Sequence, residues 1–239
     1  MKSKLESGKF WPLVPCAGIG VRSGAQLPKQ YVELAGLPVV AHTVAVLARV
    51  PLLEKVTVVL TPGDELFMRY CPGFPGHIAG VGGETRAQSV RAGLRVLREL
   101  GAQDGDWVLV HDAARCLLRA EWVEDLIAEC RDDAVGGLLA QPVPDTLKLS
   151  EGGRSSKTVS RKNMWLAQTP QMFRVSMLEQ ALDTAQQQGI VVTDEAGSIE
   201  ALGLQPRLVA CSMDNFMLTY PEDFERAEAI LKIRRVWCG

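Results

Sequence analysis

Short apolar runs alternate along the chain with segments whose apolar residues recur at helical spacing. Runs typical of buried strands lie at residues 11–15, 55–60, 77–79, 106–110, 137–141 and 207–210. Amphipathic patterns predict helices at residues 39–49, 85–100, 121–131, 175–188, 194–202 and 221–235. Because such alternation is typical of βαβ units, the sequence predicts a three-layer α/β fold with a mostly parallel, twisted sheet.

One stretch, residues 142–161, departs from this alternation. Its short β-type runs are polar, they flank Gly152 and Gly153, and they follow Pro142 and Pro144. The pattern predicts a β-hairpin that projects from the domain, called the β-arm below, and a flexible surface loop is the alternative. Because a two-stranded hairpin alone is marginally stable in water, we expect the β-arm to pack on another surface.

Length and composition narrow the class of protein without indicating a function. The 239 residues carry a formal net charge of −2, which predicts one domain, residues 1–239, and gives no sign of a nucleic-acid or membrane partner. Six cysteines form no C-x-x-C pair and three histidines lie far apart, so we expect no zinc site. Neither a signal-peptide pattern nor a run of about 18 apolar residues is present. We therefore expect a soluble, cytoplasmic protein with reduced thiols.

The most informative segment reads L-V-P-C-A-G-I-G-V-R-S-G-A-Q-L-P-K-Q-Y, residues 13–31. A predicted strand runs into small residues, Ala17, Gly18 and Gly20, whose exposed backbone N–H groups suit a phosphate. Arg22 and Lys29 add a planar fork and a point charge for the same anion. The chain contains no G-K-[ST], and the glycine spacing does not match G-x-G-x-x-G. The segment therefore predicts a nucleoside triphosphate loop, with an ordinary strand–turn connection as the alternative.

Two further segments fall at the carboxyl ends of predicted strands, where α/β sheets bind ligands. Residues 82–89 place small residues before a helix, so a planar base can lie against the backbone there. Asp112 follows the apolar run W-V-L-V-H, with Arg115 three positions later. A carboxylate at this point can help to hold Mg²⁺ together with substrate phosphates, or it can cap a helix. Both interpretations stay open at this point.

Several motifs together carry a resemblance to a known family. Besides residues 13–31, the motifs are G-G-E-T-R-A-Q-S-V (82–90), H-D-A-A-R (111–115), D-T-L-K (145–148), T-P-Q (169–171), T-D-E-A (193–196) and D-N-F-M-L-T (214–219). In this order they resemble the 2-C-methyl-D-erythritol 4-phosphate cytidylyltransferases of the non-mevalonate isoprenoid pathway. The resemblance runs from about residue 11 to the last predicted helix.

The resemblance implies a Rossmann-like nucleotidyltransferase domain that joins CTP to 2-C-methyl-D-erythritol 4-phosphate and releases pyrophosphate. It implies a homodimer in which the β-arm of one subunit completes the site of the other. The implied roles are catalysis by Arg22 and Lys29, nucleotide binding by Ala17, Gly18, Gly20, Gly83, Glu84, Ser89 and Ala113, Mg²⁺ ligation by Asp112 and Asp214, and substrate binding by Arg115, Thr146, Arg161 and Thr193. For Asp214, a turn-forming Asp–Asn pair is the alternative.

The chain departs from the family at two positions. Met217 stands where the family usually has lysine, and Glu84 stands where it often has aspartate. A missing cation among two phosphorylated ligands predicts low but real activity. Two other functions stay open: a cytidylyltransferase of the same fold for another polyol phosphate such as ribitol 5-phosphate, and a catalytically impaired nucleotide-binding regulatory protein, which Met217 alone supports.

Overall fold

The computed structural model describes residues 8–18 and 27–237. The strands in this part of the chain are β1 (Phe10–Pro15), β2 (Glu33–Leu34), β3 (Leu37–Pro38), β4 (Thr57–Val59), β5 (His77–Ala79), β6 (Trp107–Val110), β7 (Gly136–Pro142), β8 (Leu147–Glu151), β9 (Arg154–Val159), β10 (Trp165–Arg174) and β11 (Arg207–Ala210). The α-helices are α1 (Val39–Leu47), α2 (Leu66–Tyr70), α3 (Arg86–Glu99), α4 (Ala120–Cys130), α5 (Val175–Gln187), α6 (Glu195–Ala201) and α7 (Pro221–Trp237). The predicted helices are present with ends shifted by up to two residues.

Seven strands form one sheet in the order β11-β7-β10-β6-β1-β4-β5. Strand β1 lies next to the central strand β6 and pairs in parallel with β4 and β6, while β10 runs antiparallel between β6 and β7. The mostly parallel α/β sheet predicted from the sequence is confirmed. Strand β10 was not predicted, because its buried polar residues Gln168, Thr169 and Gln171 hide the apolar alternation of a strand.

The apolar core lies on both faces of this sheet. Leu13 and Val14 are both 0 % exposed, and they point to opposite faces because successive strand residues alternate. Val14 packs in a cluster with residues of α1, α2 and α4, whereas Leu13 packs with residues of α3, α5 and α6. The three-layer arrangement predicted from the sequence is therefore confirmed, and the sheet ends are left free to carry loops.

A smaller third cluster fixes the chain's last segment beside the loop that follows β6. Leu218 and Ala227 pack there with Ala114, Leu117 and Val39. The Leu218 N–H also donates to the Ala114 carbonyl at 3.0 Å. Residues 214–219 consequently lie against residues 112–117, although about 100 residues separate them along the chain.

The β-arm is a hairpin separate from the main sheet. Strands β8 and β9 pair antiparallel, and most of their residues are exposed. Gly152 and Gly153 make the turn at φ +57° and +75°, a conformation that favours glycine. The Val143 N–H donates to the Met164 carbonyl at 3.0 Å and closes the base of the arm. That the arm packs on another surface stays a prediction.

Candidate active site

A cleft of about 310 Å³ lies at the carboxyl ends of β1 and β6. Four chain segments contribute to its walls: the loop after β1 as far as Gln30, the turn that leads into α3, the loop after β6, and the 214–219 segment through Met217. The lining residues are Pro15, Cys16, Ala17, Gly18, Lys29, Gln30, Gly83, Glu84, Thr85, Arg86, Ser89, Asp112, Ala113, Ala114 and Met217. The three segments predicted from the sequence thus meet at one place, as strand ends of an α/β sheet should.

Gln30 fixes the start of the Gly-rich loop by hydrogen bonds to its backbone. The Gln30 Nε2 donates to the Gly18 carbonyl at 2.9 Å and to the Cys16 carbonyl at 3.3 Å. Gln30 is itself 5 % exposed, so these bonds are well shielded from water. Gln30 was not predicted as a site residue, although it follows Lys29 directly. The predicted residues Gly20 and Arg22 lie outside the described residues.

Lys29 also lines the cleft and lies in a short 3₁₀ turn that follows Pro28. Its Nζ donates to the Leu218 carbonyl at 2.9 Å. This bond places a positive charge beside Met217, which also lines the cleft. The phosphate-binding role of Lys29 stays a prediction.

The turn before α3 is built to stay in one conformation. Thr85 and Gln88 form a reciprocal capping box, with both bonds at 3.2 Å. The buried Ser89 hydroxyl accepts from the Gly83 N–H at 3.1 Å and donates to the Thr85 carbonyl at 3.0 Å. A Cβ at Gly82 would collide with Ala17, so only glycine permits this approach of the two loops. Ser89 therefore shapes the loop, and its predicted contact with cytosine stays a prediction.

Asp112 lies at the floor of the cleft between two arginines. Its Oδ1 accepts from the Arg86 Nε at 2.8 Å, and its Oδ2 accepts from the Arg115 Nε at 3.2 Å. Burial alone would raise the pKa of Asp112, but Arg86 and Arg115 outweigh it and hold that pKa below its usual range. Asp112 does not cap a helix, because the N-cap of α4 is Arg119. The carboxylate is therefore ionised and faces the cleft.

A chain of buried hydrogen bonds fixes the backbone around Asp112. The His111 ring is 0 % exposed, and burial lowers its pKa to about 4, so the ring is neutral at pH 7. Its Nε2 lies 3.1 Å from the Arg115 carbonyl, which only accepts, so Nε2 carries the proton. The Thr169 hydroxyl then donates to His111 Nδ1 at 2.9 Å and accepts from the Asp112 N–H at 3.0 Å. The sequence analysis assigned neither His111 nor Thr169 a role.

The second predicted metal ligand, Asp214, lies beside the cleft but does not line it. Its Oδ2 accepts from the Arg234 Nη2 at 3.3 Å. The neighbouring Asn215 carbonyl accepts from the Arg115 Nη1 at 2.8 Å, which connects this segment to Asp112. Among the described residues no group of three or more His, Cys, Asp or Glu side chains could hold a metal ion. A cation here would need oxygen ligands from a bound substrate.

The residues predicted to bind the second substrate are not brought together within one chain. Thr193 is exposed and directly precedes Asp194, the N-cap of α6. Thr146 and Arg161 lie on the β-arm, are exposed, and do not line the cleft. The Arg161 guanidinium donates to the Pro144 carbonyl at the base of the same arm. Arg115 alone of this group lies close to Asp112.

The parallel sheet, the Gly-rich loop and the charged cleft at the strand ends define a nucleotidyltransferase. The sequence model of one family, 2-C-methyl-D-erythritol 4-phosphate cytidylyltransferase, matches residues 11–233. The chain belongs to this family. The resemblance identified from the sequence motifs is confirmed, and the chain is an enzyme of isoprenoid biosynthesis.

Named relatives agree with the family assignment. The chain is 50 % identical over 224 residues to the 2-C-methyl-D-erythritol 4-phosphate cytidylyltransferase of Chromobacterium violaceum, covering 93 % of this chain and 97 % of that protein. It is 51 % identical over 227 residues to the bifunctional enzyme IspD/IspF of Albidiferax ferrireducens, of which it spans 54 %. These names favour the methylerythritol substrate over the two other functions considered above.

Solved structures show the same fold. A crystal structure of 4-diphosphocytidyl-2C-methyl-D-erythritol synthase superposes with a TM-score of 0.84 at 38 % identity, covering 94 % of this chain and 98 % of that one. The Francisella tularensis 2-C-methyl-D-erythritol 4-phosphate cytidylyltransferase gives 0.79 at 34 % identity, covering 93 % and 99 %. Within the described residues, none of the helices combines the length and the apolar character needed to cross a bilayer.

Proposed function

We propose that the enzyme joins CTP to 2-C-methyl-D-erythritol 4-phosphate, giving 4-diphosphocytidyl-2-C-methyl-D-erythritol and pyrophosphate. The observation that carries this proposal is the meeting of three family motifs in one cleft. Lys29, the Gly83 turn and Asp112 line the same space. That space lies at the strand ends, where α/β sheets bind nucleotides.

The reaction requires positioning more than proton transfer. An oxygen of the polyol phosphate attacks the α-phosphorus of CTP, and the bond from that phosphorus to the bridging oxygen breaks. Pyrophosphate leaves with the bonding electron pair. Because the attacking phosphate has a second pKa near 6, it is largely a dianion at neutral pH and requires no general base. The protein must hold two polyanions in line and stabilise the charge that develops.

We assign that stabilising role to Arg22 and Lys29. Lys29 points its ammonium group along the cleft wall next to Met217. Arg22 belongs to the same Gly-rich loop by sequence, and its planar fork suits two phosphate oxygens. The backbone of Ala17, Gly18 and Gly20 would contact the same phosphates.

We place the cytosine base in the turn before α3. The turn offers exposed backbone at Gly83 and Glu84, and Ser89 and the capping box keep it rigid. Ala113 forms the facing wall. A pocket that reads the edge of a base through fixed donors and acceptors rejects bases that lack the matching groups, because its buried partners are left unpaired.

We also propose that Mg²⁺ accompanies CTP. One residue of the cleft fits this ion, because the Asp112 carboxylate is ionised and faces the cleft. Mg²⁺ is usually held by one or two carboxylates together with substrate phosphates, and when bound it neutralises triphosphate charge. Asp214 would serve as the second ligand only if its carboxylate turned away from Arg234.

The second substrate requires a second subunit in our proposal. Arg115 and Thr193 contribute from the main domain, and Thr146 and Arg161 contribute from the β-arm of a partner in a homodimer. The exposure of the arm and of its two predicted contact residues supports this arrangement. An anionic substrate held by side chains from both subunits would order the arm as it binds.

We place the reaction in the reducing cytoplasm. The described cysteines, Cys16, Cys71, Cys116, Cys130 and Cys211, are free thiols, and the first four are buried. Burial raises the pKa of Cys71 to about 11 and that of Cys116 to about 12, so these thiols stay protonated and unreactive. Such thiols are typical of a protein that never forms disulfides.

Pyrophosphate release tests the proposal directly. The wild-type enzyme should be assayed with CTP, ATP and GTP, each against 2-C-methyl-D-erythritol 4-phosphate and ribitol 5-phosphate. We expect turnover with CTP and the methylerythritol phosphate, and kcat/KM at least about 100-fold lower with ATP. Comparable turnover with ATP, or a preference for ribitol 5-phosphate, would contradict the assignment.

A further inference from the structure

Arg86 is held between two carboxylates that come from distant parts of the chain. Its Nε donates to Asp112 Oδ1 at 2.8 Å. Its Nη1 donates to Glu195 Oε1 at 2.5 Å and its Nη2 donates to Glu195 Oε2 at 3.0 Å, so the two side chains form a bidentate ion pair. One edge of the planar Arg86 guanidinium therefore donates to Asp112, and the other edge donates to Glu195.

The helix dipole favours Glu195 at the start of α6, but it does not explain Arg86. Arg86 is the first residue of α3, where the helix dipole disfavours a cation. The Glu195 side chain is 1 % exposed, and burial raises its pKa while Arg86 acts in the opposite direction. A buried carboxylate is costly unless it is paired and hydrogen-bonded. The buried Glu195 charge is therefore stable at its position because Arg86 pairs with it, while Arg86 is balanced by Asp112 and Glu195 together.

The pair links segments with different predicted tasks. Arg86 begins the helix that follows the nucleotide turn, and Glu195 begins α6, two residues after Thr193. On the far side of Asp112, Arg115 continues the series by donating to Asp112 Oδ2 and to the Asn215 carbonyl. Alternating charges thus connect the nucleotide turn, the loop after β6, the 214–219 segment and the start of α6.

We propose that the Arg86–Glu195 pair is a positioning device that sets the distance between the nucleotide turn and the Thr193 segment, and so aligns the second substrate with the nucleotide. The inference rests on the proposed function for the identity of the two ligands. Misplacement of reacting groups by about 1 Å can cost on the order of 100-fold in rate. Arg86 acts through Asp112 and Glu195, and we do not assign it a contact with the reacting atoms.

The test compares this pair with a matched control on the same helix. Glu195→Gln removes the negative charge and keeps the shape of the side chain. Arg86→Lys keeps the positive charge but removes the bidentate hydrogen bonding to Glu195. The control is the Arg91–Asp183 pair, which joins α3 to α5 with bonds of 2.6 and 2.8 Å and does not line the cleft. Asp183→Asn and Arg91→Lys make the same chemical changes away from the site.

Three measurements separate positioning from simple stability. We expect calorimetry with CTP alone to give Kd values for Glu195→Gln within about threefold of wild type. We expect kcat/KM for the polyol phosphate to fall at least about tenfold, a shift that the control variants should not show. Amide hydrogen exchange should quicken at residues 112–117 and 193–201 in Glu195→Gln and stay unchanged there in Asp183→Asn.

Two results would overturn the inference. One is a loss of kcat/KM in Glu195→Gln no larger than in Asp183→Asn, and the other is a weakening of CTP binding by the same factor as the loss of kcat/KM. If Glu195→Gln does not fold, Arg86→Lys is compared with Arg91→Lys, and the same two results would overturn the inference. A wild-type enzyme without activity on these substrates would refute the proposed function instead, and hydrogen exchange would still show whether the pair holds the two segments.

Discussion

The cleft and the β-arm both carry polar groups assigned to phosphates, yet they differ in what holds those groups in place. Around the cleft, Ser89, His111 and Asp112 are at most 9 % exposed, and each has hydrogen-bond partners within the chain. On the arm, Thr146 and Arg161 are exposed, and Arg161 bonds only to the base of its own hairpin among the contacts seen in the described residues.

The difference shows which part of the site a single chain can complete. Groups fixed by buried neighbours are already oriented before a ligand arrives, so they lose little entropy on binding. Exposed side chains on a two-stranded hairpin lack this support. Among the described residues, the half of the site that we assign to the nucleotide is therefore preorganised in one chain. We expect the half assigned to the second substrate to need another surface to become rigid.

The largest effect is expected on the cleft side of this comparison. Lys29→Ala removes the cation that we propose stabilises charge in the transition state, a loss that typically costs roughly 2.7–4 kcal/mol, or about 100- to 1000-fold in kcat. Loss of its bond to the Leu218 carbonyl should lower stability by about 1.5–3 kcal/mol. Steady-state pyrophosphate release and thermal unfolding measure the two effects separately. Arg22→Ala is expected to behave in the same way.

Lys232→Ala provides the control for this variant. Lys232 is an exposed lysine on α7 that pairs with Glu228 at 3.1 Å, far from the lining of the cleft. Removing it deletes the same charge and should leave kcat at the wild-type value. A folded Lys29→Ala enzyme that keeps wild-type kcat would mean that the cleft does not hold the reacting phosphates.

A second prediction concerns the β-arm and asks whether its residues serve the other subunit. Arg161→Ala should lower kcat/KM for the polyol phosphate on the order of 100-fold, because a bidentate contact with phosphate is lost. Mixing this variant with Lys29→Ala should restore activity. Random exchange gives about half heterodimers, each with one intact site, so roughly a quarter of wild-type activity should return.

The outcome of the mixing experiment decides between two arrangements. If each chain used its own arm, a heterodimer would hold two sites with one defect each, and no activity would return. A chain that sediments as a monomer at high concentration would exclude the shared site altogether. Deleting residues 143–157 should give that monomer deliberately, with loss of second-substrate use.

A third prediction follows from His111, the buried histidine next to Asp112. Burial lowers the pKa of His111 to about 4 in the folded chain, against about 6.5 when unfolded. Between these values the unfolded chain binds more protons, so stability present above pH 6.5 is lost as the pH falls toward 4. The contribution amounts to about 3 kcal/mol across this window.

Urea unfolding between pH 7 and pH 4 measures this contribution in wild type and in His111→Gln. Carboxylates titrate in both proteins, so the difference between the two pH profiles isolates the histidine. We expect the variant to be less stable at pH 7 and to lose less stability on acidification. Identical slopes would show that the ring does not resist protonation. We expect the exposed β-arm to contribute no such pH dependence to the free energy of unfolding.

Local signals in the sequence were sufficient for most of the fold and for the identity of the loops. Apolar runs and apolar residues at helical spacing lie within the elements that they specify. The Gly-rich turn and Asp112 were found because a strand end, small residues and a charge occur side by side. These features require no knowledge of distant contacts.

The missed features depend on contacts between distant residues. Strand β10 carries buried Gln168 and Gln171, whose amides bond to the Ser212 carbonyl and to the Asp194 carboxylate. Without those partners the segment resembles a polar loop. The Arg86–Glu195 pair likewise spans 109 positions, and nothing near either residue indicates the other. Buried polar pairs of this kind appear only once the sheet has brought their elements together.

The last prediction concerns Met217, which lies on the cleft wall where the family usually has lysine. The described charges of the lining are Lys29 and Arg86 against Glu84 and Asp112, and both edges of the Arg86 guanidinium already face carboxylates. A lysine at position 217 would add a cation beside Lys29. The two ammonium groups repel one another in the empty cleft, and bound phosphates relieve that repulsion.

We therefore expect Met217→Lys to raise kcat/KM at least about tenfold, equivalent to about 1.4 kcal/mol, while lowering thermal stability slightly. Met217→Leu is the matched control, since it keeps an apolar side chain and should leave activity near wild type. The gain should shrink as salt concentration rises, because screening weakens attraction between partly exposed charges. If Met217→Lys folds and its activity is unchanged or lower, Met217 is a packing residue, as methionine often is. The phosphates would then lie against other parts of the cleft, and the preorganised half of the site would end at Lys29.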